Sequence, residues 1–175
     1  MSRSIEQLDS MEAIYSLYLV GQPHGVGLDL DDPESVREVV TDALCIAIGP
    51  EVTKELMDGL SNEQDAAAVA RACLKIAKEE PDLIADKGAP QRIDALLENP
   101  PRTDQADLGA SLAMVALAGT AMFLMGSFEY ERVEEEAAGG RRKKAIHFRF
   151  KGSDKVAEFA TRCLEELQKL KKLGL

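Results

Sequence analysis

Residues 108–128 form an uninterrupted stretch without a charged side chain, in a chain of 175 residues that is 30% charged. The stretch reads LGASLAMVALAGTAMFLMGSF, and its composition predicts one apolar helix from about residue 105 to about residue 126. At ~1.5 Å per residue this helix would be ~33 Å long, which suits both the width of a domain and the thickness of a bilayer core. The stretch must therefore lie either in a protein core or in a membrane.

Composition favours the protein core. The stretch is rich in Ala, Gly, Ser and Thr, so its insertion into lipid would be marginal, and the nearest charged residues on both sides, Asp107 and Glu129, are acidic. It also continues without a linker into Phe128 and Tyr130, whose aromatic side chains need cover. We expect a central buried helix, with a membrane-associated protein that uses helix 108–126 as the alternative.

Residues 1–100 predict an acidic, mainly helical part. Ser4 with Gln7, and Ser61 with Gln64, have the spacing of capping boxes, and Asp32 before Pro33 is typical of a helix start. Apolar residues recur at helical spacing after each of these positions. Residues 26–30 alternate between apolar and polar or glycine residues, which allows a short strand.

The C-terminal part predicts a β-hairpin followed by a helix. If residues 138–140 form the loop, Tyr130 faces Phe148 on one side of the hairpin and Glu129 faces Arg149 on the other. A helix that begins at Ser153 then carries an apolar stripe suited to cover the aromatic side of the hairpin. The expected fold class is α+β, a mostly helical domain around a central apolar helix with a C-terminal β-hairpin backed by an amphipathic helix.

One domain over residues 1–175 accounts for all of these elements. Its acidic helical part covers residues 1–100, and residues 103–175 contain the apolar helix, the hairpin and the C-terminal helix. The Asn99-Pro100-Pro101 breaker lies between the two parts. A chain of this length can bury a sizeable core.

Net charge and cysteine content limit the possible partners and location. The net charge is −10, and residues 1–107 carry 22 Asp and Glu against 9 Lys and Arg, which disfavours nucleic-acid binding. The three cysteines, Cys45, Cys73 and Cys163, lie within helical apolar patterns, as reduced buried thiols do, and the first residues carry acidic side chains where an export signal would be apolar. We expect a cytoplasmic protein.

The densest carboxylate cluster is the one candidate metal site. Asp29, Asp31, Asp32 and Glu34 offer four hard oxygen ligands for Mg²⁺ or Ca²⁺, although the spacing of a calcium-binding loop is absent. Helix capping and the helix dipole also explain Asp31, Asp32 and Glu34, and they are the simpler interpretation. His24, in a glycine-rich loop just before this cluster, could bind a ligand or transfer a proton, but a polar turn residue is the simpler interpretation.

Two further groups of residues are candidate sites. The basic residues Arg141, Arg142, Lys143 and Lys144 could bind a partner, but a solvated hairpin end explains them as well. His147 and Cys163 could form a nucleophilic pair only if their side chains met, and the predicted register puts them on different sides of the hairpin. No catalytic residue and no cofactor is predicted.

The sequence leaves three classes of function open. We expect a non-catalytic protein–protein interaction module, such as an adaptor or a regulatory or accessory subunit of a bacterial complex, whose partner is another protein or a second copy of the chain. A membrane-associated protein is the second class. The third is a small metal- or ligand-binding enzyme with a site around residues 24–34.

Overall fold

The structure is a computed structural model that describes residues 2–24, 32–60, 62–102, 112–127, 129–134, 146–151 and 153–172. Within these ranges the chain forms seven α-helices and two short strands. The elements in chain order are α1 (Ser10–Gly21), α2 (Pro33–Ile48), α3 (Pro50–Leu60), α4 (Glu63–Glu79), α5 (Ala89–Glu98), α6 (Leu112–Ser127), β1 (Glu129–Glu134), β2 (Ile146–Lys151) and α7 (Ser153–Lys172). The predicted strand at residues 26–30 lies outside the described residues.

Local side-chain chemistry explains where several helices begin and end. Asp9 accepts a hydrogen bond from the amide of Glu12, and the Glu12 carboxylate accepts one from the amide of Asp9, so α1 starts at Ser10. The predicted capping box at Ser4 is present, but it closes only a single 3-10 turn before α1. Asn62 caps α4 through the amide of Gln64, whereas the predicted cap, Ser61, lies outside the described residues.

The apolar helix α6 lies in the core, as the sequence predicted. Residues 115–125 are all buried, on every side of the helix. α1, α2 and α4 each pack against α6. Residues 103–111, which include the predicted start of this helix, lie outside the described residues. None of the described helices has both the length and the apolar character needed to cross a membrane.

The closest helix packing is between α1 and α6. A Cβ atom added at Gly119 would lie 3.0 Å from the backbone of Tyr18, and one added at Gly21 would lie 2.8 Å from the amide nitrogen of Phe123. The two helices therefore approach at glycines, where no side chain separates their backbones.

The last helix, α7, covers other helices. It packs on α4 and α2, with Val156, Ala160 and Cys163 buried along its apolar stripe. The ring centroid of Phe159 lies 5.5 Å from that of Phe123 in α6, so an aromatic contact joins α7 to the apolar helix.

The predicted α+β class is wrong. The described part of the chain is overwhelmingly helical, and every core residue whose burial the structure describes belongs to a helix or to a turn between helices. β1 and β2 pair with each other, and within the described ranges no further strand joins them. Because the apolar stripe of α7 contacts α4 and α2, the predicted unit of a C-terminal β-hairpin backed by this amphipathic helix is not formed.

The predicted strand register is also wrong. Tyr130 pairs with Phe150 and Arg132 with Phe148, two residues away from the predicted pairing. Side chains alternate between the two faces of a strand with a period of two, so a shift by two residues leaves each side chain on its expected face. The alternation of polar and apolar residues therefore could not distinguish the two registers. The predicted loop at residues 138–140 lies outside the described residues.

Candidate functional site

The predicted metal site gains no support from the described residues. Asp32 and Glu34 are exposed at the start of α2, while Asp29 and Asp31 lie outside the described residues. In the part of the chain that the structure describes, no three His, Cys, Asp or Glu side chains are placed to hold a metal ion. The basic residues Arg141, Arg142, Lys143 and Lys144 also lie outside the described residues.

His24 belongs to a polar cluster that the sequence did not predict. Its Nε2 lies 2.8 Å from Oδ2 of Asp86, and Arg92 donates to the same carboxylate oxygen. The other oxygen, Oδ1 of Asp86, accepts a hydrogen bond of 3.0 Å from the amide of Gly88. Arg92 also donates to the carbonyl of Val20 at 3.0 Å, so the cluster connects the end of α1 to the start of α5.

Asp86 stays ionised in this cluster. Burial alone would raise its pKa, but hydrogen bonds from Arg92 and His24, the charge of Arg92 and the amide of Gly88 together hold the pKa below its ordinary value. The Asp86 side chain is 11% exposed, whereas the side chains of His24 and Arg92 are each 33% exposed. The carboxylate is thus enclosed by its donors, and the imidazole reaches the surface.

The imidazole of His24 rests on Gly126 near the end of α6. A Cβ atom at that position would lie 2.0 Å from Cδ2 of the ring, so a glycine is required there for the ring to keep its place. With Nε2 directed at Asp86, a neutral imidazole can use Nδ1 as a hydrogen-bond acceptor or base. Nε of Arg92 is buried and has no hydrogen-bond partner among the described residues. The cluster can therefore orient an imidazole for ligand binding or for proton transfer.

Arg71 is the most buried charged side chain described, at 7% exposure. Its Nε and one terminal nitrogen donate to the carbonyl of Leu8 at 3.2 and 2.8 Å. Burial lowers the pKa of the guanidinium, and the charge of Asp9 partly opposes that effect. Arg71 thus joins α4 to the turn before α1, which is a structural role.

The cysteines of α4 and α7 meet in the core. Sγ of Cys73 lies 3.8 Å from Sγ of Cys163, both residues are buried, and both are free thiols. Burial, reinforced by the neighbouring Cys73 and Glu166, raises the pKa of Cys163 well above its ordinary value. Cys163 therefore faces Cys73. The side chain of His147, which the sequence did not predict to meet Cys163, is not among the side chains that the structure describes.

Each of α2 and α3 carries an exposed stripe of acidic residues. Glu34, Glu38 and Asp42 follow one another at intervals of four residues on α2, and Glu51, Glu55 and Asp58 lie at intervals of four and three on α3. All six are exposed, and α2 and α3 pack against each other. We call these six residues the acidic face. Arg37 and Lys54 are the basic residues between Asp32 and Leu60, so seven carboxylates in that segment are opposed by two cations.

On α4, α5 and α7, basic side chains form ion pairs with acidic ones. Lys78 binds Asp94 at 2.8 Å. Lys75 binds both Glu166, at 3.1 Å, and Glu6, at 3.5 Å. Burial alone would raise the pKa of Glu166, but hydrogen bonds and charge from Lys169 and Lys75 hold it below its ordinary value. Residues 32–60, with seven carboxylates and two cations, carry −5 of the chain's net charge of −10.

The sequence contained signals for some of the residues it failed to single out. Arg71 interrupts the small apolar residues of α4, and an arginine on such a stripe indicates a buried partner. Asp86 and Arg92 had no such signal, because their partner His24 is 62 residues away from Asp86 along the chain. No family model, no curated protein and no solved structure shows significant similarity to this chain.

Proposed function

We propose that this protein is an interaction module that binds a partner protein with a basic surface through the acidic face of α2 and α3. The observation that carries the proposal is the arrangement of six exposed carboxylates in two helical stripes on adjoining helices. Such a surface attracts a cationic partner, speeds its association and repels nucleic acid.

The reduced cysteines support a cytoplasmic location as part of this proposal. Cys73 and Cys163 are free and buried, and Cys45 is free and half-buried. Thiols that lie close together remain reduced where glutathione and thioredoxin act. The interaction module would meet its partner in that compartment.

The experiment compares the proteins retained by two variants of equal charge. The face variant Glu38→Gln/Asp42→Asn/Glu55→Gln removes three carboxylates from the acidic face. The control variant Asp82→Asn/Glu98→Gln/Glu158→Gln removes three exposed carboxylates elsewhere. Each variant and the parent protein is immobilised, exposed to lysate of the cells that express the chain, and washed at low and at high salt before mass spectrometry of the bound proteins.

A defined basic protein should be retained by the parent and the control variant at low salt, and it should be lost from the face variant. Raising the salt should release it from the parent, because the contact is between exposed charges. Equal retention by the parent and the face variant, or loss from both variants, would contradict the proposal. Circular dichroism of all three proteins confirms that the substitutions leave the fold intact.

A second candidate function is binding of a small polar ligand at His24. It is favoured by the pairing of a surface-reaching imidazole with the enclosed carboxylate of Asp86, beside the buried Nε of Arg92, which has no hydrogen-bond partner among the described residues. Nuclear magnetic resonance of the His24 ring, recorded while small carboxylates and phosphates are added to the parent and to His24→Gln, tests it. Ring signals that stay unchanged at millimolar ligand would end this candidate.

A further inference from the structure

We propose that Cys73 and Cys163 are an oxidisable pair whose disulfide fastens α7 to α4. Their sulfur atoms are already 3.8 Å apart in the core, and the two residues are 90 positions apart along the chain. A disulfide requires a sulfur–sulfur distance of about 2.05 Å, so the two side chains would have to approach by less than ~2 Å.

Other contacts hold the two helices in the position that the bond requires. Lys75, two residues after Cys73 in α4, binds Glu166, which lies three residues after Cys163. The Phe159 ring, four residues before Cys163, packs on Phe123. Contacts on both sides of Cys163 therefore keep α7 against the core, and the two thiols face each other in the folded state.

Hydrogen peroxide is the oxidant that we propose for this pair. One thiolate attacks a peroxide oxygen, the oxygen–oxygen bond breaks, and the sulfur becomes a sulfenic acid while the departing hydroxide takes up a proton to form water. The second thiol then attacks that sulfur: the sulfur–sulfur bond forms, the sulfur–oxygen bond breaks, and hydroxide leaves and takes the proton of the second thiol. In total, two thiols and one peroxide give one disulfide and two waters.

Burial makes this reaction slow in the folded protein. Cys73 is 2% exposed and Cys163 is 5% exposed, and the raised pKa of Cys163 keeps it in the unreactive thiol form. Oxidation must therefore wait for brief displacement of α7 from α4. The pair should therefore respond only to sustained oxidation, whereas the half-buried Cys45 should react sooner.

The test uses the full chain with Cys45→Ser, so that the two core cysteines are the only thiols. The protein is incubated with excess hydrogen peroxide, unfolded, and treated with a thiol-alkylating reagent before mass spectrometry of intact protein and tryptic peptides. We expect loss of two hydrogen atoms, no alkylation, and one linked peptide pair that contains both cysteines. The oxidised protein should unfold at a higher temperature than the reduced protein, and dithiothreitol should restore the original value.

The control is the same chain with Cys163→Ala added, which can form no intramolecular disulfide. It should show no linked peptides and no rise in unfolding temperature after peroxide. The linked peptide pair is detected in the Cys45→Ser protein alone, so the proposal stays testable even if the control folds poorly. Two alkylated cysteines after prolonged peroxide treatment, sulfinic acid in place of the linked peptide pair, or a linked protein that unfolds at a lower temperature would each overturn the proposal.

Discussion

Substituting Gly119 with alanine should destabilise the protein, although alanine is the better helix former. In an isolated helix this change would stabilise by about 1 kcal/mol. In this fold the added Cβ would lie 3.0 Å from both Cα and the amide nitrogen of Tyr18 and 3.4 Å from the carbonyl carbon of Leu17. These are backbone atoms of α1, and no side-chain rotation can relieve the contact.

The expected net effect follows from these two opposing terms. Forcing an extra methyl group into a close-packed core costs about 1–3 kcal/mol, and a contact with backbone belongs at the upper end of that range. After the gain in helix propensity is deducted, the free energy of unfolding should fall by about 1–2 kcal/mol. For a chain of this size that corresponds to a decrease of roughly 2–8 °C in unfolding temperature.

Urea unfolding followed by far-ultraviolet circular dichroism measures this change. The control, Ala95→Gly on the exposed side of α5, changes helix propensity without touching the core and should cost about 1 kcal/mol. If alanine at position 119 raises the free energy of unfolding, the close approach of α1 and α6 does not exist, and the packing around the apolar helix would have to be revised.

Three further predictions concern the polar contacts. Arg71→Met should lower the free energy of unfolding by about 1–3 kcal/mol, because it leaves the buried carbonyl of Leu8 without a donor. The exposed control Arg102→Met should change it little in the same urea assay. Equal effects of the two substitutions would refute the structural role of Arg71. Asp86→Asn should cost about 1–3 kcal/mol at neutral pH. Because the pKa of Asp86 is lowered in the folded state, its contribution to the free energy of unfolding is complete above the unfolded pKa near ~4 and is lost as the pH falls below that value. The acid-unfolding curves of the parent and the variant should therefore converge at low pH. A difference that stays constant with pH would contradict this assignment. Gly126→Ala should displace the imidazole of His24 and shift its ring signals in nuclear magnetic resonance spectra; an unchanged spectrum would show that the ring does not rest on this glycine.

The sequence predicted best what depends on short segments. The buried position of α6 followed from a long uncharged stretch, and the end of α4 at Glu79 followed from Pro81, since a proline disfavours helix at the residue before it. The starts of α2 and α7 followed from Pro33 and Ser153. In each case the physical cause lies within a few residues of the feature it determines.

What the sequence could not predict depends on which surfaces meet. The stripe of α7 was expected to cover aromatic side chains of the strands, yet any apolar surface of similar width satisfies an amphipathic helix. The choice of α4 and α2 instead places Cys163 on Cys73, a pairing that hydrophobic periodicity does not encode. The cluster of His24 and Asp86 escaped prediction for the same reason, because its members come from distant segments.

Three of the long-range polar and thiol contacts come from α4, although α6 is the more apolar of the two helices. Most of the buried side chains of α4 are alanines, which let α1 and α7 approach closely. The few longer side chains of α4 can therefore contact residues of the adjoining segments. Arg71 reaches the turn before α1, and Lys75 reaches α7. Cys73 meets α7 directly. The apolar surface of α6 favours burial but does not distinguish between neighbouring helices. The polar and thiol contacts of α4 are specific, and they determine that α1 and α7 pack on α4.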